Sequence, residues 1–91
     1  MANLTLPVKA EYFHAIASGE KIYENRLITE YWTKRLRGRH YDNVIITLGY
    51  PKRDDATRRL VFPWRGYIER EIQHKHFGPD PAKVYSILLK A

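Results

Sequence analysis

The stretch from Gly19 to Arg26 constrains the fold of this chain more than any other. It alternates like a β-strand, yet it carries Lys21, Glu24 and Arg26, whose charged groups are too costly to bury without partners. A strand with these side chains must face solvent, pair its charges with one another, or present them to a ligand. We therefore expect a strand that opens onto solvent or onto a binding site.

Hydrophobic patterning predicts strands on both sides of that stretch. The predicted strand regions are 4–8, 21–28, 43–48, 58–70 and 84–89. Pro7 cannot donate a ladder hydrogen bond, so the first strand should lie at a sheet edge or end there. The third region is β-branched and nearly all apolar, which predicts a central strand covered on both faces. Pro63 and Gly66 interrupt the fourth region, so a bend or bulge is expected near Trp64.

Two short segments between the first three strands predict helices. Residues 10–18 place Phe13 and other apolar side chains at helical spacing, which gives one apolar face. Residues 30–37 follow Thr29, a good helix cap, and place Trp32 toward the interior. Their position between the first three strands rules out a helical bundle.

About five strands and two short helices in 91 residues predict an α+β fold. We expect one small mixed sheet that curls into a β-barrel, with both helices packed against it. No linker or internal repeat divides the chain, so residues 1–91 are expected to form a single domain.

The charge of the chain favours a polyanionic partner. Sixteen lysines and arginines stand against ten acidic residues, a formal net charge of +6, and 13% of residues are aromatic. Basic and aromatic side chains together suit unpaired nucleic-acid bases. The side chains predicted to contact phosphates are Lys34, Arg35, Arg37, Arg39, Arg58, Arg59 and Arg65. The alternative for the four nearest the second helix is that they only stabilise the end of its dipole.

The charged strand suggests a specific chemistry. Glu24 and Arg26 are two residues apart, so they share a face and can pair. Lys21 has the opposite parity and meets Glu24 only if Lys21 lies in the turn after Gly19 or if the strand twists sharply. In a site, Lys21 would bind an anion or carbonyl, Glu24 would act as acceptor or base, and Arg26 would hold Glu24. The alternative is an ion-pair network with a structural role only.

The same residues resemble the signature of the ASCH family, a branch of the PUA-like superfamily. In that signature a glycine is followed by a lysine, a glutamate and an arginine at the spacing of Gly19, Lys21, Glu24 and Arg26. The order of strands and helices is also similar over most of the chain. The resemblance implies a PUA-like curled β-barrel and a function in RNA or nucleoside recognition.

Some ASCH relatives are amidohydrolases that remove the acetyl group from N4-acetylcytidine. Their catalytic set resembles a lysine at the position of Lys21, a threonine at that of Glu24 and a glutamate on a later strand, for which Glu69 and Glu71 are candidates. The glutamate in place of threonine counts against their acyl-transfer mechanism. Other relatives are proposed to bind or cleave RNA, and Tyr23 is of interest in that light.

Several classes of site find no support in the sequence. There is no cysteine, and His74 and His76 are too few to form a typical metal site, so neither a metal nor another cofactor is predicted. No apolar run approaches the ~20 residues of a membrane span, and no signal peptide is visible. A cytoplasmic protein without a membrane partner is expected.

The sequence therefore predicts an RNA- or nucleotide-binding module. The residues predicted to bind the ligand are Lys21, Tyr23, Glu24 and Arg26. The alternatives are a hydrolase acting on a modified nucleoside or on RNA, with Lys21 and Glu24 as catalytic residues, and a protein-interaction module. Whether Glu24 reaches Lys21 or is held by Arg26 separates the first two. The oligomeric state is left open.

Overall fold

The structure is a computed structural model and describes residues 2–52, 55–74 and 77–90. These residues form a small α+β fold, as predicted. The elements are β1 (Asn3–Val8), α1 (Ala10–Ala17), β2 (Tyr23–Leu27), α2 (Glu30–Leu36), β3 (Asn43–Leu48), a 3-10 helix (Ala56–Arg58), β4 (Arg59–Pro63), β5 (Tyr67–Ile72) and β6 (Ala82–Leu88).

The strands of the described residues form two sheets of three strands each. In the first sheet, β3 lies between β1, which runs parallel to it, and β4, which runs antiparallel. In the second, β6 lies between β2 and β5 and is antiparallel to both. The connection from β1 to β3 contains α1, β2 and α2. Although β2 lies between β1 and β3 in the sequence, it belongs to the second sheet.

The expectation of one curled sheet of about five strands is therefore corrected. The predicted region 58–70 divides into β4 and β5, and the two halves pair with different sheets. The break falls between Trp64 and Gly66, where Gly66 has a φ of +80° that other residues rarely adopt. The bend was predicted, but it separates two strands instead of curving one. The described strands do not close into a barrel.

Two other strand predictions can be compared with the sheets. β1 lies at a sheet edge, as Pro7 predicted, and continues to Val8. β3 is central, as its composition predicted. Its inward residues Val44 and Ile46 are fully buried, but Ile45 on the other face is partly exposed. Thr47, on the same face as Ile45, is buried, so both faces of the strand are covered in part.

The core lies between the two sheets and the two helices. Leu6 of β1, Ile46 of β3 and Ile87 of β6 have no exposed surface, and Phe13 of α1 and Leu36 of α2 are buried against the same cluster. Each fully buried side chain of this size contributes about 1.5–3 kcal/mol relative to an exposed one. Burial therefore fixes β1, α1, α2 and β6 around β2, the strand that carries the charged motif.

Local contacts set the ends of both helices. Thr29 accepts a hydrogen bond from the backbone N–H of Trp32 at 3.2 Å, which is the predicted cap of α2. After α1, Gly19 has a φ of +83° and the backbone N–H of Lys21 returns to the carbonyl of Ala15 at 3.0 Å. Neither these helices nor any other helix in the described residues is long and apolar enough to span a membrane.

Candidate functional site

The turn after α1 places Lys21 outside the strand alternation. Lys21 precedes β2, which begins at Tyr23. Its ammonium group donates to the carbonyl oxygen of Tyr23, two residues further along the chain, at 2.5 Å. The parity that would separate Lys21 from Glu24 in a straight strand therefore does not apply.

Glu24 lies between the two cations of the motif. Its Oε1 is 3.6 Å from Nζ of Lys21, and its Oε2 is 2.9 Å from Nη2 of Arg26. Glu24 is only 8% exposed, so this carboxylate is buried with its charge compensated on both sides. Glu24 thus contacts both cations, and the choice between Lys21 and Arg26 posed by the sequence does not arise.

Arg26 connects the motif to both sheets and to α2. Its Nη2 also donates to the backbone carbonyl of Pro7 in β1 at 2.9 Å. Its guanidinium group lies over the ring of Trp32, 5.1 Å from the centroid. Among the described residues its Nε, which is buried, has no hydrogen-bond partner. Arg26 is therefore held in place by three elements while one donor stays unpaired.

A cavity of about 670 Å³ opens beside these three side chains. Its described wall comes from the end of β1, from α1, β2 and α2, and from two loops. Aromatic rings form much of that wall: Tyr12, Tyr31, Trp32, Tyr50 and Phe77. The volume lies within the range of about 300–1,000 Å³ that is usual for small-molecule sites.

Tyr23 lies on the opposite face of β2. Its ring packs under the guanidinium group of Arg70, 4.7 Å from the centroid. Next to it, Nε of Arg70 donates to Ser86 at 2.7 Å, and Ser86 donates to Asn25 at 2.5 Å. Of the four predicted ligand-binding residues, the structure therefore brings Lys21, Glu24 and Arg26 together and places the Tyr23 ring elsewhere.

The predicted phosphate-binding residues near α2 make local contacts. Lys34 pairs with Glu30 at 3.3 Å, and both side chains are exposed. Arg35 stacks on the ring of Tyr31, 3.6 Å from the centroid, which places it next to the cavity wall. The exposed Arg39 follows α2.

Arg37 has the most definite partner of this group. Its Nη2 donates to both oxygens of Glu69, at 3.1 and 3.3 Å. The hydrogen bond, reinforced by the opposite charge, raises the pKa of Arg37 above its ordinary value. Glu69 is therefore paired with Arg37 near the end of α2. Neither Glu69 nor Glu71, the two candidates for a later catalytic glutamate, is among the described residues that line the cavity.

The other predicted phosphate contacts lie on different elements. Arg58 pairs with Asp55 at 3.3 Å across the 3-10 helix, and Arg65 donates to the carbonyl of Lys90 at 3.1 Å. Arg59 donates to the carbonyl of Lys52 at 3.1 Å. None of the seven predicted basic residues is among the described residues that line the cavity. Arg35 contacts Tyr31, and Tyr31 is part of the cavity wall.

Sequence reasoning missed the loop residues of the site. Tyr50, which is 93% exposed, and His74 and Phe77 all line the cavity. The His74 ring lies 6.1 Å from that of Tyr12 and 6.2 Å from that of Phe77. A lone tyrosine between Gly49 and Pro51 was a usable signal, because a large ring in a loop often serves recognition. The position of His74 had no such signal.

The described residues contain no cluster of three or more side chains suited to hold a metal ion. His74 belongs to the cavity wall, whereas Lys75 and His76 lie outside the described residues. Of the two histidines considered as metal ligands, His74 alone is among the described residues.

Comparison with known proteins does not identify the family of this chain. No family model, no curated protein and no solved structure matches the chain. The site must therefore be interpreted from its own residues.

Proposed function

We propose that this chain is an RNA- or nucleotide-binding module whose ligand enters the cavity beside Lys21, Glu24 and Arg26. One observation carries the proposal: a buried carboxylate flanked by two cations shares a cavity with several aromatic rings. A nucleotide matches such a wall, because its base offers a face for stacking and polar groups at its edge, and its phosphate is an anion.

The balance of charge in the cavity supports an anionic ligand. Among the described residues, the cations Lys9, Lys21 and Arg26 line it together with one carboxylate, Glu24. The surplus positive charge would attract a phosphate, and the net charge of +6 on the whole chain would favour encounter with RNA. Arg35 stacks on Tyr31 and so extends the positive charge beside the cavity wall.

The fold relationship is part of the same proposal. The two sheets would be the halves of the PUA-like curled barrel implied by the ASCH resemblance. The contact between Arg26 of the second sheet and Pro7 of the first supports this, because it joins the sheets at the edge where the cavity opens.

Binding of ribonucleoside 5′-monophosphates and short single-stranded RNAs tests the proposal. Isothermal titration of the 91-residue chain should detect binding, and Lys21→Ala should weaken it tenfold to a hundredfold through loss of a charge-assisted contact. Lys83→Ala is the matched control, since Lys83 is exposed and is not among the cavity-lining residues. Absence of binding, or equal loss in both variants, would refute the proposal.

A hydrolase is the second candidate, and the position of His74 favours it. An imidazole is a common proton donor or acceptor in enzymes, and His74 lines the same cavity as Lys21 and Glu24. If Glu24 acts as a base on N4-acetylcytidine or on RNA, Glu24→Gln should slow turnover by about 10²–10⁴-fold. Binding without turnover of either substrate would leave the binding module as the function.

A further inference from the structure

The motif has hydrogen-bonding capacity left after its internal contacts. An ionised carboxylate offers about four acceptor positions, and an ammonium group has three N–H donors. Oε2 of Glu24 accepts from Arg26, while Oε1 lies 3.6 Å from Nζ of Lys21, too far for a good hydrogen bond. Lys21 gives one donor to the carbonyl of Tyr23. The cavity wall therefore presents a donor beside a carboxylate that can still accept.

We infer that the base recognised in this cavity is guanine, an inference that rests on the proposed function. The Watson–Crick edge of guanine carries a carbonyl oxygen next to two N–H donors, on N1 and N2. Lys21 would donate to the carbonyl, and the two oxygens of Glu24 would accept from N1 and N2. The two nitrogens are spaced nearly as the two oxygens of a carboxylate, so the pairing is parallel and charge-assisted.

The other three bases fit this order of groups less well. Adenine and cytosine place a ring-nitrogen acceptor at the position of the guanine N1–H, where it would face the carboxylate. Uracil has one N–H between two carbonyls, so one oxygen of Glu24 would face a carbonyl. A buried acceptor opposed to another acceptor is strongly disfavoured, and sites built this way discriminate sharply.

The aromatic wall favours a purine in the same cavity. Trp32 already carries the guanidinium group of Arg26 on its ring, and Tyr31 carries that of Arg35. Tyr50 is 93% exposed at the cavity, so its ring has room to stack on a bound base. A two-ring purine offers that ring more surface than a pyrimidine does.

A titration series with modified nucleosides tests the inference. Guanosine should bind best. Inosine, which lacks the N2 amino group, should bind about tenfold more weakly, and 1-methylguanosine, which lacks the N1 donor, at least a hundredfold more weakly. Adenosine, cytidine and uridine should also fall at least a hundredfold below guanosine. Equal or tighter binding of any of them, or of 1-methylguanosine, would overturn the guanine assignment and leave the proposed function intact. If no nucleoside or nucleotide binds, both are overturned.

Variants of the chain supply an independent measurement. Glu24→Gln replaces one acceptor oxygen by an NH₂ donor, so the preference for guanosine over adenosine should fall at least tenfold. Glu71→Gln is the control, because Glu71 is exposed and outside the described cavity wall. If Glu24→Gln is poorly folded, the NMR spectrum of the wild-type protein with bound guanosine provides the test. A slowly exchanging guanine imino proton in that spectrum supports the assignment, and a rapidly exchanging one contradicts it.

Discussion

The hydroxyl groups of Thr33 and Tyr85 lie 2.7 Å apart and join α2 to β6 across 52 positions of sequence. Tyr85 has no exposed surface, and its ring also meets that of Tyr67 edge-on at 5.1 Å. A buried phenol needs a partner for its hydroxyl group, and Thr33 supplies one. This contact holds α2 over the second sheet and so sets the position of Trp32 in the cavity wall.

Removing either hydroxyl group should destabilise the fold modestly. Tyr85→Phe and Thr33→Val should each lower the free energy of unfolding by about 0.5–1.5 kcal/mol, because each removes the hydrogen bond between the two hydroxyl groups. Urea denaturation of the two single variants and the double variant measures the coupling. A double variant whose loss equals the sum of the single losses would show that the hydroxyls do not interact.

The two partners of the motif's carboxylate should respond differently to mutation. Lys21→Ala should change the free energy of unfolding by less than about 1 kcal/mol, because the Lys21–Glu24 pair is long and partly solvated. Glu24→Ala should lower it by about 1–3 kcal/mol, because Arg26 would lose its carboxylate partner in a half-buried position. Thermal unfolding of both variants compares them, and equal losses would indicate that Lys21 has a structural role.

Acid should weaken the 3-10 helix through Asp55. Its Oδ1 accepts from the hydroxyl and the backbone N–H of Thr57, and with the charge of Arg58 these hydrogen bonds lower the pKa of Asp55. Because the folded pKa is depressed, the stabilisation is fully present above the ordinary value near 3.8 and is lost as pH falls through the folded value.

Substitution of Asp55 tests this linkage. Asp55→Asn should be less stable than the wild type at about pH 6, and the difference should shrink as the pH is lowered below about 4. Urea unfolding at several pH values measures it, with Asp80→Asn as a control at an exposed aspartate. A difference that stays constant with pH would show that the charge of Asp55 does not stabilise the fold.

RNA binding should depend strongly on salt. With about four phosphate contacts to a single strand, log affinity should fall with log salt at a slope of roughly −3. Replacing Arg35, Arg37 and Arg39 by alanine should weaken binding to all RNA sequences alike. Affinity that does not change with salt would remove these residues from the binding surface.

Glu69 offers a finer test of the same surface. Because Glu69 neutralises Arg37, Glu69→Gln should strengthen RNA binding if Arg37 contacts phosphate. Glu71→Gln is the matched control on the same strand, where it changes the net charge equally without freeing Arg37. An equal increase in both variants would point to net charge alone.

Much of the secondary structure could be predicted from local sequence patterns. The β-branched apolar run of β3, the apolar face of α1 and the cap at Thr29 each depend on neighbours within a few residues, and the strand, the helix and the cap are found as predicted. The assignment of β4 and β5 to separate sheets depends on their distant partners, β3 and β6. The residues around Trp64 predicted that the strand is interrupted there. They contain no information on which distant strand each half pairs with.

The residues of the candidate site also separate into those that local sequence predicted and those that it did not. The spacing of Lys21, Glu24 and Arg26 along one strand and turn made their chemistry readable before the fold was known. Tyr50 and His74 reach the cavity only because loops from different parts of the chain converge there. That convergence follows from the packing of two sheets, and short-range sequence patterns do not encode it.

The contact between Arg26 and Pro7 has a consequence for the open edge of β1. The carbonyl of Val8 points toward β3, where it accepts from Gly49, so the backbone groups of Pro7 point to the open side of β1. There Pro7 offers no N–H, and Arg26 occupies its carbonyl. A strand from another molecule would find neither group available along this stretch of β1. The arginine of the candidate site therefore also leaves this part of the β1 edge without the backbone groups that an added strand would need.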